Sequence, residues 1–276
     1  MSTSVPSEQP WSRVSESAER PTVERSSAVK SAARTLDILE LLASDGALRS
    51  IAMIARELGL PKTSVHGIVH TLADRGWLQP DASGTRYGLG LRSLLAGTAY
   101  LDTDDVVTLS REVLDRVAER TGETVHLGRL DGVDVVYLAK RESVHPLRLY
   151  SAVGRRLPAH ATALGKALLA RMTQAELDDV LRTDTLAALT DRTITDRGEL
   201  DRALDAVRAD GIAVDRGENS PGIVCYAAAF PAGVSAAALS CSLPESRLTD
   251  AHRQEIVDAL QEAARTMTAM LGRIAR

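Results

Sequence analysis

The sequence is short of aromatic residues, with one Phe, two Trp and five Tyr in 276 positions. Leu, Ala, Val and Ile must fill any core, and a pocket built from this chain is aliphatic rather than a stacked aromatic cage. Cysteine is scarcer still. Cys225 and Cys241 lie far apart and match no CxxC pattern, which argues against a disulfide framework and for reduced thiols in a cytoplasmic protein. No apolar run approaches the roughly 20 residues that span a bilayer, so no membrane partner is expected. The Ser-, Pro- and Glu-rich N-terminus lacks the apolar segment of a secretory signal.

A large excess of positive charge is missing too, since the net charge is −4. The average hides an asymmetry. Between Ala28 and Arg92, eight Lys/Arg face six acids, a local balance of +2, whereas the stretch before it carries −1 and the remainder −5. A mildly basic front and an acidic back suit nucleic-acid contact by the front alone.

Residues 1–27 are polar and unpatterned and read as a disordered tail. Residues 28–90 then form a first domain. Leu36, Ile38, Leu39, Leu41 and Leu42 make a broad apolar stripe at helical spacing, ended by Gly46. Ser50 is a good N-cap for a second helix carrying Ile51, Ile54, Ala55 and Leu58. Gly59 supplies the permissive φ of a sharp turn, and Pro61 sits where a first helical turn tolerates it. The third helix is expected from about Pro61 to Arg75, with Val65, Ile68, Val69 and Leu72 inward and Gly76 as its cap. Trp77–Pro80 and Arg86–Leu89 flank a polar, Gly-containing turn and read as a β-hairpin. Helix, helix, tight turn, helix, hairpin is the plan of a winged helix-turn-helix.

A linker helix is expected over 91–105 and a second domain over 106–276. In the latter, a helix covers Val106–Arg120. Strand-like runs at Thr124–Leu130 and Val133–Ala139 surround Asp131-Gly132, a strong hairpin dipeptide. A further strand is expected at Leu147–Ala152, and helices at Thr162–Met172, Gln174–Leu181 and Glu199–Asp210. Strands follow at Gly211–Asp215, Val224–Phe230 and Val234–Leu243. Thr249 caps a last helix with an inward stripe of Ile256, Leu260, Ala263, Met267, Met270 and Ile274. Strands mixed irregularly with helices make the fold class α+β.

A DNA-reading helix must enter the major groove and present polar side chains near its N-terminal end. Lys62, Thr63, Ser64, His66 and Gly67 occupy that end. Lys62, Thr63 and Ser64 are placed for phosphates or base edges, and His66 for either. Arg86 in the wing, with Arg49 and Arg56 on the preceding helix, suits backbone contacts. The competing reading is a winged helix that serves as a structural or protein-binding module.

The stretch IARELGLPKTSVH (Ile54–His66) resembles the helix-turn-helix of the IclR family of bacterial transcriptional regulators, and RYGLG (Arg86–Gly90) resembles the end of its wing. The second half adds TGETVH (Thr121–His126), GRRLPAHATALGKA (Gly154–Ala167), TITD (Thr193–Asp196), GIAVD (Gly211–Asp215), SPGIVC (Ser220–Cys225) and ALSCS (Ala238–Ser242). The resemblance runs from about Ser31 to the C-terminus. It implies a GAF-like effector-binding domain with a curved antiparallel sheet flanked by helices. It also implies a homodimer or dimer of dimers on a pseudo-palindromic, double-stranded operator, acting as a repressor or activator under control of a small-molecule effector. Family members commonly carry Arg after the recognition-helix His. Gly67 stands there instead, so base preferences do not carry over.

Effectors of the family are mostly small organic acids, aromatic acids or sugar-derived metabolites. The His160–Leu164 segment, with Ala163 and Leu164 leading into a helix, offers an anion the N–H groups of a helix start. By resemblance, Leu149, Asp215, Cys225, Ser240 and Ser242 join this pocket. Ser240 and Ser242 alternate with Cys241 and so share one face. The aliphatic lining favours a sugar acid or small carboxylate over a large aromatic.

Blander readings stand beside these. Asp215, next to Arg216 and Glu218, fits a solvated loop, and Cys225 fits a small buried hydrophobe. His126 fits a core histidine better than a metal ligand. An enzyme built on Cys225 with His126 or His160 has only spacing behind it. Gly165-Lys166 is followed by Ala167, not the Ser/Thr of a phosphate loop, and no dinucleotide fingerprint occurs. A zinc sensor using His126, His160, Cys225 and Cys241 lacks paired ligand spacing. Neither a cofactor nor a resident metal is therefore expected.

Overall fold

A computed structural model of the chain describes residues 29–145, 151–182, 186–232 and 235–274. The expected tail therefore lies outside the described residues, as do Leu149 and most of the strand expected at 147–152. The fold divides into two units between Ala96 and Gly97, inside a helix rather than at its edge.

In the first unit, α1 (Lys30–Asp45), α2 (Ile51–Glu57) and α3 (Lys62–Asp74) precede a hairpin of β1 (Leu78–Pro80) and β2 (Tyr87–Leu89). The expected stops hold. Gly46 ends α1 at φ +69 and Gly59 makes the α2–α3 turn at φ +62, while the Ser50 hydroxyl accepts the Met53 N–H at 3.3 Å. Ile38, Leu42, Ile54, Val65, Val69, Leu72, Leu78 and Tyr87 form its core. Burying each large aliphatic among these contributes about 1.5–3 kcal/mol. The α1 stripe is narrower than its sequence suggests: Leu36 is 58% exposed. Arg49 lies before α2, not on it, and exchanges backbone hydrogen bonds with Tyr87 as a third, one-residue rung of the wing.

The division falls within α4 (Leu91–Thr103). In the second unit α5 (Asp105–Thr121) is capped by the Asp104 carboxylate, which accepts the Val107 N–H at 3.1 Å. That cap starts a new helix directly after α4, inside the range expected for one linker helix. A six-stranded antiparallel sheet follows in the order β5-β4-β3-β8-β7-β6. Its strands are β3 (Thr124–Asp131), β4 (Asp134–Arg141), β5 (Arg156–Pro158), β6 (Ala213–Arg216), β7 (Ile223–Ala232) and β8 (Ser235–Pro244). β5 is a strand that the sequence did not announce.

One sheet face packs Val125, Leu127, Tyr226, Leu239 and Leu243 against α5 and the long α9 (Asp250–Ile274). On α9, Ile256, Leu260, Ala263 and Met267 are buried and Met270 partly so, but Ile274 is 54% exposed. The expected stripe thus runs one turn too far. The other face carries α6 (Ala163–Leu169), with α7 (Gln174–Val180) and α8 (Arg197–Asp210) clustered behind it. Gly165 lets the turn at Ala159–Ala161 lie directly against α6: a Cβ there would fall 2.1 Å from the Ala159 carbonyl oxygen.

Candidate functional site

In the first unit, the third helix presents Lys62, Thr63, His66, Gly67 and His70 to solvent along one side, while Val65, Val69 and Leu72 hold the other side in the core. Polar and apolar residues segregate because the two sets lie about half a turn apart. Ser64 is partly covered and its hydroxyl accepts from Arg34 Nη1 at 3.0 Å. A Cβ on Gly67 would meet nothing within 4 Å, so the missing side chain leaves open surface rather than relieving a clash. Arg56 on α2 and Arg86 at the wing are exposed. The wing tip is fixed by the Asp81 carboxylate, which accepts the N–H groups of Thr85 and Arg86 at 3.0 and 3.2 Å.

Arg49 behaves otherwise. It is 8% exposed and its guanidinium donates to Asp45 and Glu57, each at 2.8 Å. The Asp45 hydrogen bonds hold it above its ordinary value. With both carboxylates engaged, Arg49 is a strut between α1 and α2 and is not free to meet a phosphate, contrary to its expected role.

In the second unit the site is built by strand register. Antiparallel pairing sets Thr124, Ser242, Cys225 and Asp215 side by side across β3, β8, β7 and β6. Two residues along, His126, Ser240, Ala227 and Ala213 make a parallel row. Alternation places both rows on the face under α6, opposite Val125, Leu127, Cys241 and Leu243. Asp215, Ser240, Ser242, Thr124 and His126 are buried, whereas Cys225 is partly exposed. Ala163 and Leu164 pack at the start of α6 with Tyr137, Ala227 and Ala238. Thr162 caps that helix by accepting the Gly165 N–H at 3.0 Å.

Asp215 is thus a strand residue and not part of a solvated loop. Burial pushes its carboxyl up to about 6, although the Glu218 N–H, donating at 2.7 Å, and nearby Lys166 oppose the rise. Lys166 and Glu218 form a buried ion pair at 2.5 Å, and Glu218 Oε2 has no hydrogen-bond partner among the described residues. The ring of His126 stacks on Tyr137 at 4.4 Å between centroids, and its Nε2 meets Ser151 Oγ at 2.8 Å. Burial, aided by the Lys140 charge, lowers His126 to about 3, so the ring is neutral. Its Nδ1 is buried with no partner among the described residues.

Burial and the nearby Asp215 push the Cys225 thiol up, so it remains protonated and is a poor nucleophile. Three hydroxyls, one carboxyl and one neutral imidazole on a partly open face can hydrogen-bond a small oxygenated molecule. Sequence reasoning missed Thr124, Tyr137, Lys166 and Glu218. Thr124 is legible as the residue two before His126, but the Lys166–Glu218 pair spans 52 positions and left no local signal. His160 is occupied, its Nε2 lying 3.0 Å from the Ala187 carbonyl.

Two surface depressions lie elsewhere, one of about 460 Å3 between α5 and α9 and one of about 250 Å3 between α6 and α8. The first is lined by Arg116, Glu119, Arg120 and Glu262, none of them in the buried set, whereas Thr124, His126, Asp215, Ser240 and Ser242 on the sheet face are buried, so burial of the chemistry rather than volume marks the site. Among the described residues no group of three or more His, Cys, Asp or Glu is placed to hold a metal ion. No described helix is long and apolar enough to cross a membrane.

Comparison with known proteins covers both units. The IclR helix-turn-helix domain matches residues 31–82, and the bacterial transcriptional regulator IclR C-terminal domain matches residues 98–269. The HTH-type transcriptional regulator BhcR of Paracoccus denitrificans is 36% identical over 247 residues, covering 89% of this chain and 88% of its own. The structure of an IclR transcriptional regulator from Alicyclobacillus acidocaldarius is similar with a TM-score of 0.79 and 30% identity, over 88% of this chain and 99% of that one. An IclR homolog from Microbacterium hydrocarbonoxydans, solved in complex with 4-hydroxybenzoate, shares 25% identity at a TM-score of 0.73, over 88% of this chain and 99% of that one.

Proposed function

The chain belongs to the IclR family of bacterial transcriptional regulators, and from that premise we propose that its operator binding is controlled by a small organic or sugar-derived acid held on the inner sheet face. The observation that carries this reading is the buried polar row of Thr124, Ser242, Cys225 and Asp215, continued by Ser240 and His126. Within this layer His126 Nδ1, and beside it Glu218 Oε2, are buried without a hydrogen-bond partner among the described residues, and such groups cost stability until a bound partner satisfies them. Ala163 and Leu164 at the start of α6, and Leu149, which lies outside the described residues, complete the pocket.

The DNA-reading set is Lys62, Thr63, Ser64 and His66 on α3, with Arg56 and Arg86 toward the backbone. Arg49 is left out because its charge is spent inside the fold. One winged helix covers only a half-site, so a homodimer or dimer of dimers is the working assembly. Leu91, Leu94, Leu95 and Tyr100 on α4 are exposed apolar side chains available to such an assembly. The protein acts as a repressor in the cytoplasm, where its DNA partner is. It does so by a population shift between two arrangements and not as an enzyme.

Thermal-shift titration against small carboxylates, including 4-hydroxybenzoate, tests the effector half. A ligand of the row raises the melting temperature of the wild type and much less that of Ser240→Ala. An equal rise in both variants removes Ser240 from the site, and a ligand that leaves operator affinity unchanged removes the switch.

A further inference from the structure

We propose that the solvent face of α3 carries a two-histidine site for a divalent transition-metal ion of the zinc class, formed by His66 and His70. The two residues stand four apart in the helix, and their ring centroids are 4.3 Å apart with planes at 49°. Imidazoles at i and i+4 project from the same helix face, the spacing used by helical zinc sites. Both residues are exposed. Gly67, directly beside His66, adds no side chain that would cover the pair, and a Cβ there would meet nothing within 4 Å.

The tilt of the two rings makes them neighbours rather than a flat stack, so each needs only a side-chain rotation to turn a nitrogen toward a shared ion. His70 also lies edge-on to the buried Tyr87 ring, with centroids 6.3 Å apart, which gives the pair a wall on the wing side. Two imidazoles and water ligands make a tetrahedral zinc sphere of the open kind. The ion exchanges water for the two imidazoles, with no redox step and no covalent bond to the chain.

The remaining four of the six histidines are otherwise engaged. His126 and His160 are buried on Ser151 and the Ala187 carbonyl. His145 and His252 face the Glu123 carboxylate, which also accepts from Arg247 Nε at 2.9 Å, and that guanidinium repels a cation. The α3 pair is therefore the accessible imidazole chelate. An ion there takes His66 out of the DNA-reading set and places a hydrated cluster where the groove would lie, so metal and DNA compete. This consequence, unlike the metal site itself, rests on the DNA-reading role proposed for α3. By linkage the weakening is mutual.

Calorimetric titration of the full-length protein with Zn2+ tests the site. One equivalent should bind per chain, and His66→Ala or His70→Ala should each lower the affinity about tenfold or more, while His252→Ala leaves it unchanged. Circular dichroism checks that the variants keep their fold. Absence of a one-equivalent phase in the wild type, or a phase indifferent to both α3 substitutions, overturns the site. In a second arm, Zn2+ should weaken binding to a random-sequence duplex for the wild type and not for His70→Ala. Undiminished DNA binding by the zinc-loaded wild type overturns the competition. Failure of the metal-free protein to bind any duplex would overturn the DNA-reading role and leave the metal titration standing.

Discussion

The two units place their polar chemistry on opposite sides of their folds. In the unit ending at Ala96, the helix that bears Lys62, Thr63 and His66 turns them all to water, and among the described residues of that unit Arg49 is the one charged residue in the buried set. In the unit beginning at Gly97, Lys166 on α6 and Asp215, Glu218, His126, Ser240 and Ser242 are all buried. An outward polar face can meet a partner too large to enter the protein, such as a duplex. An inward one can meet only a molecule small enough to be enclosed. The same residue types thus support two different kinds of recognition, and substitutions in the two places should fail in different ways.

The largest contrast is in stability. Lys166→Met leaves Glu218 buried without its cation and should cost about 3–5 kcal/mol in urea unfolding. Lys62→Ala should stay within about 0.5 kcal/mol of wild type. A Lys166→Met variant as stable as the wild type would break the comparison at its strongest point.

The next effect is in DNA binding and has the reverse pattern. Lys62→Ala should reduce the slope of log affinity against log salt by about one, the mark of a lost phosphate contact. Ser242→Ala, measured in the same way without ligand, should leave the slope unchanged. Equal slopes for Lys62→Ala and wild type would remove Lys62 from the interface.

The remaining effects are in the pH dependence of stability, and they have opposite signs. His126, lowered to about 3 from 6.5, takes its proton more readily unfolded, so stability is lost as pH falls below about 6.5. His126→Asn should flatten that acid limb. Asp215, raised from 3.8 to about 6, holds its proton more tightly folded, so its contribution is present below about pH 4 and fades as pH rises through about 6. Asp215→Asn should therefore gain on the wild type across that window. Chemical unfolding from pH 4 to 8 separates the two. Parallel curves for all three proteins would mean that neither group is titrating as its burial demands.

The same contrast explains what was legible in the sequence. The first unit could be read almost whole, because helix caps, the Gly59 turn and the Val65–Val69–Leu72 spacing are local signals. Its error, Arg49, came from reading a basic residue near a DNA-binding helix without seeing Asp45 and Glu57 converge on it. In the second unit most elements were legible, but the site is set by strand register. Ser240 and Ser242 could be placed on one face by alternation. Nothing local aligns Thr124 with Asp215 across two intervening strands, or pairs Lys166 with Glu218. Asp215 was expected at the end of a strand over Gly211–Asp215, but its charged neighbours Arg216 and Glu218 left a solvated loop as an alternative, because the sheet edge it belongs to is defined only by pairing with β7. Ile274 was overextended for the same reason: periodicity continues past the point where a partner surface ends.

Selection of bound duplexes from a random pool, followed by affinity measurement on the selected sequence, tests the division of roles most directly. The account predicts that the wild type enriches a two-fold related site. It further predicts that a Lys62→Ala, Thr63→Ala double variant loses affinity for it about tenfold or more, while Asp215→Asn binds it as tightly as the wild type in the absence of ligand. Enrichment of no site, or equal losses from the α3 and sheet-face variants, would contradict it.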